Sequence, residues 1–88
     1  MTRVIILESF EDDFAMVSSK AKRAKIIEAV ALLERFPQRG SRDLPQSVLS
    51  RFGHTRKIVV SPFDIIYTYD AESDTAVVQG IVHQRGAC

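Results

Sequence analysis

Arg56-Lys-Ile-Val-Val-Ser-Pro-Phe-Asp-Ile-Ile-Tyr67 is the stretch on which the fold turns, because within it the apolar spacing falls to a period of two. Ile58 and Val60 alternate with Lys57 and Val59. Ser61-Pro62 makes a tight turn, and Phe63, Ile65 and Tyr67 then alternate with Asp64, Ile66 and Thr68. β-Branched and aromatic side chains at alternate positions suit a pleated strand with one face turned inward. Asp70 to Asp74 is a polar turn, and Ala76 to His83 reads as a last strand. Three strands joined by turns this short form an antiparallel meander, since a parallel connection needs roughly a dozen residues or more.

Upstream the spacing is helical. Arg3-Val-Ile-Ile-Leu-Glu8 is β-branched and apolar, and reads as a strand covered on both faces or lying beside a helix. Ser9 is expected to cap a first helix, with Glu11, Asp12 and Asp13 near its positive end and Phe10, Phe14 and Val17 on one face. Ser18 and Ser19 break the pattern and can cap a second helix, whose stripe is Ile26, Ile27, Val30, Leu33 and Phe36. Pro37 ends it, and Arg39-Gly40 follows as a turn. Gly40 to His54 has no clear period and carries Pro45 and Gly53, so it reads as a long exposed loop, of the kind that often carries function. The expectation is one α+β domain over residues 1–88: an N-terminal strand, a two-helix hairpin, then a three-stranded antiparallel meander. A helix anywhere between Arg56 and Val82 would refute it.

With 88 residues, 45% hydrophobic and 26% charged, the chain suits one globular domain with a thin core. The longest apolar runs, Val4 to Leu7 and Ala29 to Leu33, are too short to cross a bilayer. No secretory pattern opens the sequence, and the one cysteine, Cys88, has no internal partner, so the cytoplasm is the expected compartment. A net charge of +1 conceals an uneven distribution. Most acids fall in Glu8 to Asp13 and Asp70 to Asp74. Between Arg35 and Lys57 the bases Arg35, Arg39, Arg42, Arg51, Arg56 and Lys57 face a single acid, Asp43, and Lys20, Lys22, Arg23 and Lys25 open the second helix. Such local density attracts phosphates, although solvated helix faces and polar loops produce it as well.

No phosphate-binding glycine loop, His-Glu-x-x-His helix, nucleophile elbow or cysteine pair is present. Two isolated histidines and scattered acids supply no ligand cluster, so neither a metal nor a cofactor is expected. Asp12 and Asp13 read as helix-start charges before they read as an acid–base pair. What remains is a set of cationic and titratable groups around the meander: Arg51, His54, Arg56 and Lys57 before and in its first strand, Tyr67 in the second, and His83 and Arg85 at its end. Cleaving RNA without a metal requires a base for the 2′-hydroxyl, cations for the phosphate charge and an acid for the leaving oxygen. His83 or His54 fits the proton-transfer role, and Arg56, Lys57 and Arg85 the phosphate clamp. The competing reading makes Tyr67 core, His83 a strand end and the arginines solvent-facing.

The order of these features resembles the RelE/ParE superfamily of toxins from bacterial toxin–antitoxin pairs. Four stretches carry the resemblance: Glu8-Ser-Phe-Glu-Asp-Asp-Phe14, Leu33-Glu-Arg-Phe-Pro-Gln-Arg-Gly40, the Arg56 to Tyr67 double strand, and Gly80-Ile-Val-His-Gln-Arg85. The pattern Arg56, Tyr67, His83-x-Arg85 is closer to ParE, whose members act on DNA gyrase, than to the ribonucleases of the RelE branch. That branch carries an arginine where this chain has Val59 and a tyrosine beyond the final arginine; only Lys57 and Arg85 match its cations. ParE-type members usually have a base at the position of Asp64, often an arginine at Gly80, and more usually a tyrosine at Phe63.

The resemblance implies a toxin neutralised by a cognate antitoxin, with higher-order toxin–antitoxin assembly as a further implication. Three functions stay open: gyrase inhibition through Arg51, His54, Arg56, Lys57 and Arg85; metal-independent cleavage of mRNA, free or on the ribosome, with Lys57, His83 and Arg85 catalytic; or a decayed toxin that only binds antitoxin.

Overall fold

The computed structural model describes residues 1–53 and 55–84. Its elements are β1 (Arg3–Ile6), α1 (Glu8–Ala15), α2 (Lys20–Ala31) closed by a 3₁₀ turn (Leu32–Glu34), α3 (Gln46–Phe52), β2 (Arg56–Val60), β3 (Phe63–Asp70) and β4 (Thr75–His83). The leading strand, helical hairpin and meander are present as expected, and no helix interrupts Arg56 to Val82. One sheet runs in the order β1-β4-β3-β2, with β2, β3 and β4 antiparallel and β1 parallel to β4. β1 is an edge strand with a neighbour on one side only, and it is not covered on both faces: Arg3 and Ile6 are exposed and Val4 and Ile5 half-buried.

The hairpin closes the main core against one face of the sheet. Phe10, Val17, Ile26 and Leu33 meet Ile58, Ile65, Tyr67 and Val78 there. Phe10 and Phe14 stack at 5.9 Å, and Ser19 caps α2 by accepting the Lys22 N–H at 3.2 Å. Ile27 and Phe36 are exposed, contrary to the expected stripe. Ile27 sits about 100° around the helix from buried Ile26, and the helical turns end at Glu34, short of Phe36. Arg23 ties the hairpin together: its guanidinium donates to the carbonyls of Val17 (2.8 Å) and Phe14 (3.3 Å) at the end of α1 and lies 4.3 Å over the Phe14 ring. That member of the basic cluster has a structural task.

The segment expected as an exposed loop contains α3, which covers the opposite face of the sheet. Leu44, Val48 and Phe52 recur every fourth residue and pack on Ile66 and Val82. Pro45 stands just before the first turn, where its missing N–H costs nothing, and Gly53 at φ +78° stops the last. Both residues punctuate a helix rather than mark a loop. With α3 in place, Ile65, Ile66 and Tyr67 are buried from alternate sides.

β1 stops halfway along β4, and α1 takes over its edge. The Leu7 N–H reaches the Val78 carbonyl at 3.0 Å, the Ser9 hydroxyl donates to the Gln79 carbonyl, and the Asp13 carboxylate accepts the Ile81 N–H at 2.9 Å. Ser9 is therefore not a helix cap; α1 begins at Glu8, and its hydroxyl serves the strand beside it. Three groups that would otherwise form an open edge are satisfied. Register steps at this point: Ile66 faces Gly80 while Tyr67 faces Val78, so Gln79 is an extra residue in β4. A Cβ on Gly80 would lie 2.9 Å from the Asp13 carboxylate and 3.1 Å from the Phe52 ring, so α1 and α3 both close on that glycine.

At the far end, Thr2 and Tyr69 each donate to one Asp74 oxygen at 2.7 Å. These bonds, the Thr2 bond first, hold the Asp74 carboxyl below its ordinary 3.8. Among the described residues no helix is long and apolar enough to cross a membrane.

Two outcomes are expected. Asp13→Ala leaves the Ile81 N–H without an acceptor and lowers stability in urea by about 1–3 kcal/mol, whereas Asp12→Ala, on the exposed side, changes it by less than about 0.5 kcal/mol. The Asp74 contribution is complete above the unfolded value of 3.8 and is lost as pH falls through the lower folded value. Asp74→Asn therefore shows a smaller loss of melting temperature below pH 3.8 than the parent; identical acid profiles would contradict this.

Candidate functional site

Two of the residues that carry the sequence resemblance, Pro37 and Gly40, bracket the turn leaving the helical hairpin, and two more reach it from the sheet. The Tyr67 hydroxyl donates to the Pro37 carbonyl at 2.7 Å and accepts the Gly40 N–H at 2.9 Å. Arg56 Nη1 donates to the carbonyls of Gln38 (3.0 Å) and Gly40 (3.1 Å). A Cβ on Gly40 would lie 2.6 Å from the Tyr67 oxygen, so only glycine lets the turn come this close. Burial pushes the Tyr67 phenol above its ordinary 10.0, against the opposing pull of the Gly40 bond and of Arg56, and it stays protonated as a donor. Tyr67 and this nitrogen of Arg56 thus hold the turn on the sheet.

The remaining sequence candidates are spread over both faces. Directly paired residues share a face, so Lys57, opposite Ile66, lies on the α3 side, and its own N–H and carbonyl pair with Ser41 at 2.8 and 2.9 Å. His83 is paired with Phe63, meets that ring edge-on at 5.4 Å, and so lies on the hairpin side. There it borders a groove of about 160 Å³ with Asp13, Met16, Val17 and Ile81. The structure does not bring Lys57 and His83 together. Arg51 is exposed on the last turn of α3, its guanidinium 4.7 Å over the Phe52 ring. His54, Arg85 and Cys88 lie outside the described residues.

Beside Lys57 on the α3 side, the next paired row is Val59, Asp64 and Val82. Asp64 is 4% exposed and accepts from the Gln84 side-chain amide at 3.1 Å. That row presents a carboxylate between two valines and no cation. Among the described residues no three His, Cys, Asp or Glu side chains converge as metal ligands do.

Two concavities escaped the sequence reading. One, of about 230 Å³, runs between α2 and the outer edge of β2, with Lys25, Glu28, Ala29, Leu32 and Arg39 on one side and Ile58, Val59 and Val60 on the other. Val59 is 51% exposed on this edge strand. Its signal was an apolar residue at a solvent-side position of the alternation. The other, of about 390 Å³, is lined by Arg42, Leu49, Thr55, Arg56, Thr68 and Tyr69. It brings together residues from four segments, and no local spacing announces it.

No protein-family model and no curated protein matches the chain. Solved structures do match. A chain of the toxin–antitoxin complex RelBE2 from Mycobacterium tuberculosis superposes with a TM-score of 0.73 at 19% identity, over 93% of this chain and 96% of that one. A chain of the intact E. coli RelBE toxin–antitoxin complex gives 0.68 at 12% identity, over 94% and 96%. At identities this low, it is the superpositions that show a common fold.

The two neighbouring cations on β2 are expected to behave differently. Arg56→Met removes both carbonyl contacts and lowers unfolding free energy by about 1–3 kcal/mol. Lys57→Met stays within about 0.5 kcal/mol of the parent. Urea titration of both variants decides it; equal effects would contradict the assignment of Arg56 to the turn.

Proposed function

We propose that this chain is the toxin of a bacterial toxin–antitoxin pair, held inactive in the cytoplasm by a cognate antitoxin, and that it acts by binding DNA gyrase rather than by cutting RNA. The observation that carries the first part is the end-to-end agreement of its fold with chains of two RelBE toxin–antitoxin complexes. The second part is supported by the paired row Val59, Asp64 and Val82, which offers no positive charge to a pentavalent phosphate. The opposite faces taken by Lys57 and His83 also favour binding over concerted acid–base work. In this reading Arg51, Lys57, His54 and Arg85 serve target contact, with Arg56 contributing what its turn bonds leave available.

The antitoxin tail is assigned to the groove between α2 and β2. An extended segment there pairs with the open backbone around Val59 and covers Ile58 and Val60, while Lys25 and Arg39, two cations against the single acid Glu28, favour acidic side chains on it. Such a tail orders as it binds and raises the melting temperature of the complex.

Induction of this chain alone, with and without the product of the adjacent reading frame, tests the proposal. Growth arrest relieved by the second product is expected, with supercoiling by purified gyrase inhibited and transcripts intact on primer extension. Transcript cleavage that disappears in Lys57→Ala or His83→Ala, with supercoiling untouched, would establish the ribonuclease alternative instead. Antitoxin binding without arrest would favour the decayed toxin.

A further inference from the structure

We infer that the cavity at the start of β2 is a binding site for a mononucleotide-sized phosphomonoester, separate from the antitoxin groove and from the Lys57 row. Its position follows from strand lengths. β2 begins at Arg56, opposite Tyr67, while β3 continues through Thr68 and Tyr69 to Asp70. No β2 residue is paired with that extension, and the resulting notch is roofed by Leu49 of α3 and by the Arg42 segment.

The lining has one sign of charge. Arg42 and Arg56 both reach it, and no carboxylate lines it. Arg56 uses Nη1 for the Pro37–Gly40 turn, and its other guanidinium nitrogens make no hydrogen bond among the described residues. Two guanidinium groups on one concavity are suited to a dianionic phosphate, which accepts several charge-assisted hydrogen bonds at once. Thr55 adds the second, independent observation. It lines the cavity, is only 5% exposed, and its hydroxyl has no hydrogen-bond partner among the described residues. Buried hydroxyls are nearly always satisfied, and one left over beside two arginines matches an oxygen-rich ligand.

Size and the apolar part of the wall define the rest of the ligand. About 390 Å³ is far more than a phosphate fills and falls within the range of about 300–1,000 Å³ usual for small-molecule sites. Leu49 supplies apolar surface from α3, and Tyr69 borders the cavity from β3, its ring packed on the hairpin-side core and its hydroxyl fixed by Asp74. A flat heterocycle attached to the phosphate suits that wall; Thr68 supplies a further hydroxyl for its sugar.

The test is calorimetric titration of the purified chain with adenosine 5′-monophosphate, inorganic phosphate and adenosine in turn. The monophosphate is expected to bind saturably and at least on the order of 10-fold more tightly than either fragment. Arg42→Gln and Thr55→Val are each expected to weaken it on the order of 10-fold, with melting temperatures at or above that of the parent. Arg56 is left intact because it also holds the turn. Absence of saturable binding at millimolar monophosphate overturns the inference, as does inorganic phosphate binding equally well. Unchanged affinity in both variants overturns it too. A loss of stability in Thr55→Val would mean that the fold uses this hydroxyl, and would remove the site's second support.

Discussion

The hydroxyl of Tyr67 joins the two halves of this molecule. It lies on β3, the middle strand of the meander, wholly buried, and bonds both a carbonyl and an N–H of the turn that ends the helical hairpin. Tyr67 belongs to the main core with Leu33, so a single side chain contributes apolar ring surface and polar satisfaction at the same seam. Gly40 permits the approach, and Arg56 closes the other side of the turn. From there the path is set: Ser41 pairs with Lys57 immediately after the turn, and the chain then crosses to the far face to form α3.

The edges of the sheet explain where the molecule is closed and where it is open. Along β4, α1 replaces the missing part of β1 with Leu7, Ser9 and Asp13, three acceptors or donors spaced along the strand. Along β2, Ser41 covers the backbone at Lys57, leaving the strand edge at Val59 open beside the α2 groove. Beyond the start of β2, the extension of β3 opens into the arginine-lined cavity. Open strand edges are a liability in a small domain unless something covers them. The two uncovered stretches are the sites proposed above for an extended polypeptide and for an anion.

The alternation of Phe63, Ile65 and Tyr67 made β3 legible, and the stripe of Phe10, Phe14 and Val17 made α1 legible, because each encodes burial on one face at the period of its element. The same logic missed α3. Leu44, Val48 and Phe52 carry its period, but Pro45 and Gly53 were read as loop residues when they are its start and stop. The site was harder to read for a sharper reason. Ala76 and Val78 face the hairpin, and strict alternation from them would send His83 to the α3 side with Lys57. The extra residue at Gln79 reverses the parity, so Ile81 takes the hairpin side and His83 follows it. A bulge is a property of two strands and their register, and one strand's pattern does not disclose it. The resemblance residues Arg56 and Tyr67 were visible from the start, but their bonds to Pro37, Gln38 and Gly40 required the turn to be seen in place.

The central claim is that Tyr67 holds the hairpin turn on the sheet through its hydroxyl, and Tyr67→Phe tests it most directly because only that oxygen is removed. Urea unfolding is predicted to show a loss of about 1–3 kcal/mol, and native-state hydrogen exchange at the Gly40 amide is predicted to accelerate with it. A Phe variant with parental stability and an equally protected Gly40 amide would contradict the account.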